Sequence, residues 1–336
     1  MKRYISYLKE NIAYFIYKIK DFFQAKKNDR PIVKSVDEAI DKIINNNVSI
    51  SRFGDGEFNL LQRKSINFQE YNEELASKLR NILVSRYKSI IVCIPDVFDG
   101  LEEYVTYSKK VWTALLAQNR KSWCNMLDMN KTYYNAFISR PYVIYKNRSN
   151  CESKFESLKK IWNDKELLIV EGEKSRLGVG NDLFNNSKSI KRIICPSINA
   201  YSKYNEIFKA AQKYGQKKLI LVALGPTATV LSYDLSREGL QAIDIGHIDI
   251  EYEWFLKKTV GKVKIDGKFT NEAINGNITD KFYNKEYIYF YYYKNSYLLK
   301  SLLISYGFLS LFRTYYQYIG MLCYYYFFLY SNKAPP

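Results

Sequence analysis

"KKLILVALGPTATVLSYDLSREGLQAIDIG", residues 217–246, decides the architecture. The run "KKLILVALG" is short, continuous and apolar. The helix-like "PTATVLSYDLSREG" follows, with Pro226 near the first helical position. "LQAIDIG" is a second apolar run. Short apolar runs separated by helices read as parallel strands covered on both faces.

The same rhythm continues upstream. "FESLKKIW" (155–162) reads as a helix and "ELLIVEG" (166–172) as a strand, followed by the loop "EKSRLGVGNDLF" (173–184). "IKRIICPS" (190–197) is a further strand, and "NEIFKAAQKYG" (205–215) a further helix. Nearer the N-terminus, "SVDEAIDKIINNNVSISRFGDGEFNLL" reads as helix, short strand, loop and helix. "YNEELASKLRNIL" (71–83) is an amphipathic helix, "SIIVCIPD" (89–96) a buried strand, and the aromatic-rich 101–145 a helical region. The expected class is α/β, a Rossmann-like, mostly parallel sheet with helices on both faces. Such sheets bind ligands at the carboxyl ends of their strands. Those ends are Glu171–Gly172, Cys195–Pro196–Ser197, Gly225–Pro226–Thr227 and Asp244–Ile245–Gly246–His247.

The 336 residues carry a net charge of +17, unevenly placed. Residues 1–35 hold nine Lys/Arg against three Asp/Glu, and residues 276–336 six against two. Basic ends suit an anionic surface, and no nucleic-acid motif is present. Five scattered cysteines and one histidine exclude a structural zinc site. Wide cysteine spacing and no secretory signal point to the cytoplasm.

Three regions follow: a basic amphipathic helix and linker (1–30), a catalytic domain (31–275) and an aromatic basic tail (276–336). In the first, Ile5, Leu8, Ile12, Phe15, Ile16, Ile19, Phe22 and Phe23 share one helical face. That face either lies in a membrane interface or packs on its own domain. The tail holds 15 of the 32 tyrosines within residues 282–330. Its uncharged stretch 314–332 is long enough to span a bilayer, but its tyrosines suit an interfacial position; packing on the domain or a partner is the third reading.

Asp55-Gly56-Glu57, with Arg52 just upstream, spaces two carboxylates by one residue between Gly54 and Phe58. Read alone, this is a solvated turn or a pair of hard oxygen ligands for Mg2+ or Mn2+ sharing the ion with a diphosphate. Gly178 and Gly180 in "RLGVGND" resemble a phosphate-cradling turn between strand and helix. They lack the full dinucleotide or P-loop signature. Gly225 and Thr227 at a helix start are phosphate donors or ordinary caps. His247 lies among Asp244, Asp249, Glu251 and Glu253, where a histidine can ligate a metal, act as acid or base, or be structural.

"SRFGDGEF", "FISRPY", "LLIVEGEKSRLGVGNDLF", "RIICPSINAY", "LGPTATVLSYDLSREGLQAIDIGHIDIEYEW" and "NE" (271–272) together resemble the bacterial GT-D-type glycosyltransferases, over roughly residues 35–275. Family members act in glycosylation of surface glycans and adhesins. The resemblance implies transfer of a hexose from a nucleotide-diphosphate sugar, typically a UDP-sugar. The acceptor is a surface glycan, lipid-linked saccharide or glycoprotein. It also implies a divalent metal tied to the Asp-x-Glu motif, here Asp55 and Glu57. By position, His247 joins the metal, Asp249 or Glu251 serves as acceptor base, and Arg52 braces the leaving group. Gly54, Gly56, Arg176, Gly178, Gly180, Ser197, Asn199, Gly225 and Thr227 are the expected donor contacts. Both basic ends would hold the domain at the cytoplasmic membrane face. A nucleotide-sugar hydrolase or phosphotransferase, or a non-catalytic membrane-docked scaffold, are the alternatives.

Overall fold

The computed structural model describes residues 2–27 and 30–276, with side chains from residue 9 onward. The expected tyrosine-rich tail lies outside the described residues. The chain opens with α1 (Lys2–Lys27), β1 (Ile32–Lys34), α2 (Val36–Asn46), β2 (Ser49–Arg52), α3 (Asp55–Leu61) and α4 (Glu73–Leu83). Next come β3 (Ile90–Ile94), α5 (Thr106–Met126), β4 (Thr132–Asn135), α6 (Cys151–Lys159), β5 (Glu166–Gly172) and β6 (Ser189–Cys195). The last elements are α7 (Tyr204–Tyr214), β7 (Leu219–Ala223), α8 (Pro226–Arg237), β8 (Ala242–Asp244) and α9 (Ile248–Leu256). Short 3-10 turns cover Ala136–Ser139 and Ala200–Lys203.

Among the described residues, eight strands form one sheet in the order β1-β4-β3-β2-β8-β7-β5-β6. Every pairing is parallel. Every residue of β3 is buried, as are Leu167–Gly172 of β5 and Leu219–Val222 of β7. Successive strand side chains point to opposite faces, so both faces of the sheet are covered, as the continuous apolar runs predict.

The sheet joins two halves. Strands β1–β4 lie on one side and β5–β8 on the other, and they meet where β2 pairs with β8 through Ile50 and Ile243. Strand order reverses at this seam, the position where open α/β sheets form a crevice. Helix α8 backs the seam, and nine of its residues are buried, including Thr227, Thr229, Ser232 and Ser236. Its small side chains allow close approach. The Ser51 hydroxyl donates to the Thr229 carbonyl (2.6 Å), and the Thr229 hydroxyl donates to the Arg52 carbonyl (2.8 Å).

Local signals set the helix ends. Ser35 and Glu38 form a reciprocal capping box on α2, and Asn72 caps α4 through the Leu75 amide. Helix α1 packs on α5, where Arg120 makes two bonds to the Asp21 carboxylate (2.6 and 3.0 Å). Cys93, Cys124, Cys151 and Cys195 are free and buried; Cys323 lies outside the described residues.

Two local expectations need correction. Gly178 and Gly180 do not open a helix, because the chain turns through 173–188 and enters β6 directly. The region 101–145 is not wholly helical, because Thr132–Asn135 forms β4 inside the sheet.

Candidate active site

Arg52 ends β2 and points across the seam. Its Nε donates to the Asp244 carbonyl (2.9 Å) and its Nη2 to Asp244 Oδ1 (2.9 Å). Its Nη1 donates to Ser139 Oγ (2.8 Å) and the Ala136 carbonyl (3.2 Å). Burial pushes the Asp244 carboxyl up, and Arg52 opposes that shift. The guanidinium therefore ties β2, β8 and the 136–139 turn together. All but one of the five guanidinium N–H groups are used in this clamp, so the structure places Arg52 as a tie across the seam where bracing of a leaving group was expected. Gly246 makes room for it, since a Cβ there would lie 1.9 Å from Arg52 Nη2, and its φ of +49° already favours glycine.

Asp55 and Glu57 follow in the first turn of α3. Asp55 is exposed at the carboxyl end of β2, and Glu57 is partly buried. The Gly54 amide donates to Glu57 Oε2 (2.6 Å), so Glu57 caps its own helix with one oxygen. Burial pushes the Glu57 carboxyl up to about 7. The pair thus sits on a helix start rather than in a glycine-rich tight turn. Gly54 has extended φ, and Gly56 lies within the helix.

His247 precedes α9, and its Nε2 lies 3.5 Å from Glu272 Oε1. Burial and the positive charge of Arg140 push the imidazole down to about 3, so it is neutral at pH 7. Arg140 and Lys262 both pair with Glu272. Burial would push the Glu272 carboxyl up, but Arg140, His247 and Lys262 together hold it well below the usual carboxylate range. Arg140 also feels the charge of Asp55. Among the described residues, no three His, Cys, Asp or Glu side chains gather as a metal cage. His247 is therefore not assembled with Asp55 and Glu57 into one set. Arg140 stood inside "FISRPY" and Glu272 inside "NE", so both were visible in the sequence without a role.

Asp249 and Glu251 point inward. Asp249 accepts from the Gly178 amide (2.8 Å), Asn181 Nδ2 (2.8 Å) and Lys268 Nζ (2.8 Å). Glu251 accepts from the Tyr142 and Val143 amides (3.1 and 2.9 Å), with Arg140 at 3.8 Å. Asp249 is 2% exposed and Glu251 fully buried. Neither opens to the rim as an acceptor base; they fasten the 141–143 and 176–181 segments to α9. Glu251 carries a pH prediction. Burial raises its carboxyl from 4.5 to about 7, so the folded state holds the proton more tightly than the unfolded one. Its stabilising contribution is full below about pH 4.5 and is lost as pH rises through about 7. Glu251→Gln removes that titration. Its Tm relative to the wild type rises between about pH 5 and about pH 8; a constant difference contradicts the assignment.

The donor contacts expected at the β5, β6 and β7 ends are mostly occupied by the protein itself. The segment 66–70 lies across them. The Asn199 amide donates to the Phe68 carbonyl (2.8 Å), and the Glu70 amide donates to Asn199 Oδ1 (2.7 Å). Thr227 is fully buried, its hydroxyl 3.5 Å from Gln69 Oε1. The Phe68 ring covers Gly225, where a Cβ would lie 2.5 Å from it. Asn199 and Thr227 are thus fastenings for this segment rather than open contacts. Arg176 is buried and donates to the Gly267 carbonyl. Ser197 lies 3.5 Å from Glu173, half-buried, and Gly180 is exposed. Beside these, the β2/β8 seam carries the exposed Asp55, together with Glu57 and His247, and Glu272 is joined to His247, Arg140 and Lys262.

Residues 50–273 match the model of the family described as "Glycosyltransferase GT-D fold". The chain is 42% identical over 265 residues to the "Probable glycosyl transferase Gly" of Streptococcus gordonii, covering 78% of this chain and 39% of that protein. It is 44% identical over 241 residues to "Glycosyltransferase GlyD" of Streptococcus pneumoniae, covering 71% of this chain and 30% of that protein. The chain thus spans less than two-fifths of the length of these curated relatives. A solved structure described as "The highly conserved domain of unknown function 1792 has a distinct glycosyltransferase fold" superposes with a TM-score of 0.76 at 42% identity, covering 80% of this chain and 97% of that one. One described as a new glycosyltransferase from Streptococcus sanguinis gives 0.74 at 42% identity, covering 77% and 97%. The chain belongs to the GT-D glycosyltransferase-fold family.

Proposed function

We propose that the protein transfers a hexose from a nucleotide-diphosphate sugar, a UDP-sugar by preference, to a cell-surface glycan, lipid-linked saccharide or glycoprotein. The observation that carries this reading is the placement of Asp55 and Glu57. In a chain of the GT-D family, they share one helical turn at the carboxyl end of β2, with the Asp55 carboxylate exposed.

The residues fit a divalent cation. Asp55 offers an exposed carboxylate, and Glu57 keeps one oxygen free of its cap. Two hard oxygen donors without a third protein ligand suit Mn2+ or Mg2+, which share their remaining positions with phosphates and water. Bound there, the cation supplies charge stabilisation to the departing nucleotide diphosphate.

The chain's own groups supply the rest. Arg140, which feels the charge of Asp55, and Lys262 supply fixed positive charge, and both pair with Glu272. Neutral His247 presents a ring nitrogen at the same rim. Arg52 and Asp244 hold the seam in one geometry, which limits reorganisation during transfer. A peripheral position at the cytoplasmic face of a membrane, where lipid-linked acceptors sit, completes the reading.

Thermal shift against a panel of nucleotide sugars with Mn2+ tests it. A cognate donor at about a hundred times its Kd raises Tm by about 5 °C. The shift disappears in Asp55→Asn. No shift with any nucleotide sugar overturns the proposal.

A further inference from the structure

Helix α1 sits on the domain the opposite way round from a core-packed amphipathic helix. Its inward side is half-buried and mixed, with Tyr14 and Tyr17 beside Asn11, Asp21 and Gln24, and the bonds it makes to the domain are polar. Asp21 pairs with Arg120, Gln24 Nε2 donates to the Ala117 carbonyl (3.0 Å), and Lys110 Nζ donates to Asn11 Oδ1 (3.2 Å). Arg120 is itself buried and donates to the Phe98 carbonyl (2.9 Å), so this attachment reaches into the domain. The apolar stripe faces away. Ile12, Phe15, Ile16, Ile19, Phe22 and Phe23 are 43–63% exposed. A helix that half-buries a mixed side and leaves six large apolar residues in contiguous exposure marks an interaction surface.

Charge selects the occupant. At 3.6 residues per turn, Lys9, Lys20 and Lys27 run along one edge of the stripe and Lys18 along the other. All four are exposed. Lys26 lies over the Phe22 ring at the C-terminal end. The acids of this helix are off the face: Asp21 is turned inward, and Glu10 lies on the far side by spacing. An apolar stripe rimmed by lysines is complementary to anionic headgroups over acyl chains. A second copy would bring lysine edges against lysine edges. The chain's own residues 276–336, with six Lys/Arg against two Asp/Glu, carry the same sign. Like charges across a contact disfavour both.

We infer that the outward face of α1 is a lipid-docking surface. The Asp21–Arg120 pair and the Gln24 bond couple it to the domain while its apolar residues enter the headgroup boundary. This deepens the membrane part of the proposed function and is independent of the sugar chemistry.

The test is co-sedimentation of the full chain with vesicles of phosphatidylglycerol and phosphatidylcholine, and with phosphatidylcholine alone. The wild type binds the anionic vesicles, and binding weakens as salt rises. Combined Ile12→Gln, Phe15→Gln, Phe22→Gln and Phe23→Gln, all exposed positions with a helix-compatible replacement, lowers partitioning by about tenfold or more. The same variant keeps the wild-type Tm and any donor-induced shift. A failure of docking is thereby distinct from a failure of the donor site. Combined Lys18→Gln, Lys20→Gln, Lys26→Gln and Lys27→Gln removes the preference for phosphatidylglycerol. Unchanged vesicle binding by the apolar variant overturns the inference. So does a dimer-to-monomer change in sedimentation equilibrium, which assigns the face to a second copy. A fall of its Tm without vesicles also overturns it, assigning the face to the chain's own packing.

Discussion

Asp55→Asn lowers kcat for sugar transfer by about a hundredfold to a thousandfold, with Tm unchanged. Asp55 is exposed and caps nothing, so its loss removes charge from the rim without disturbing the fold. Glu57→Gln gives the same loss of activity for a separable reason. Glutamine at this position still accepts from the Gly54 amide, since the capping geometry tolerates either side chain. The anionic oxygen is gone while α3 keeps its first turn. Glu57→Ala, by contrast, loses the cap as well and costs about 1 kcal/mol of stability. Initial rates of nucleotide release and product formation, measured beside Tm for the three variants, separate chemistry from folding. Activity within a few fold of wild type in Asp55→Asn contradicts the assignment.

Arg52→Met produces the largest loss of stability. It strands the buried Asp244 carboxylate and removes four bonds joining β2, β8 and the 136–139 turn. Breaking one side of a buried ion pair costs about 3–5 kcal/mol, or roughly 10 °C in Tm for a domain of this size. Gly246→Ala acts on the same joint from the other side, because its Cβ and the guanidinium cannot share the space. In both variants activity falls together with stability. Adding Asp244→Asn to Arg52→Met recovers part of the Tm, since no charge is then left unpaired. An unchanged Tm in Arg52→Met would show that the seam is held by something else.

The long apolar runs made the centre of the sheet legible. β3, β5 and β7 are buried on both faces, and continuous Ile, Leu and Val runs encode that directly. β1 and β4 escaped the reading because they are three and four residues long, and "TYYN" carries no apolar run. Their pairing is decided by tertiary context. The site was legible as a place and less so as roles. Asp55 and Glu57 stood out by spacing. Asp249 and Glu251, two and four residues beyond His247, looked equally available, but helical geometry turns them into the domain. There they meet Lys268 and the Tyr142 and Val143 amides, distant in sequence. Arg52 looked free until the fold brought Asp244 across from β8. Polar residues at strand ends are ambiguous for this reason: the same side chain can face a ligand or fasten two loops, and only the fold decides which.

Transfer at Asp55 and Glu57 is tested most directly by following a labelled hexose from a UDP-sugar onto an acceptor saccharide. The same protein is assayed as prepared, after chelation with EDTA, and after readdition of Mn2+. Label passes to the acceptor, stops on chelation, returns with Mn2+, and never appears with Asp55→Asn. Transfer that persists in EDTA or in Asp55→Asn, or nucleotide release that proceeds at one rate whether or not acceptor is present, contradicts it.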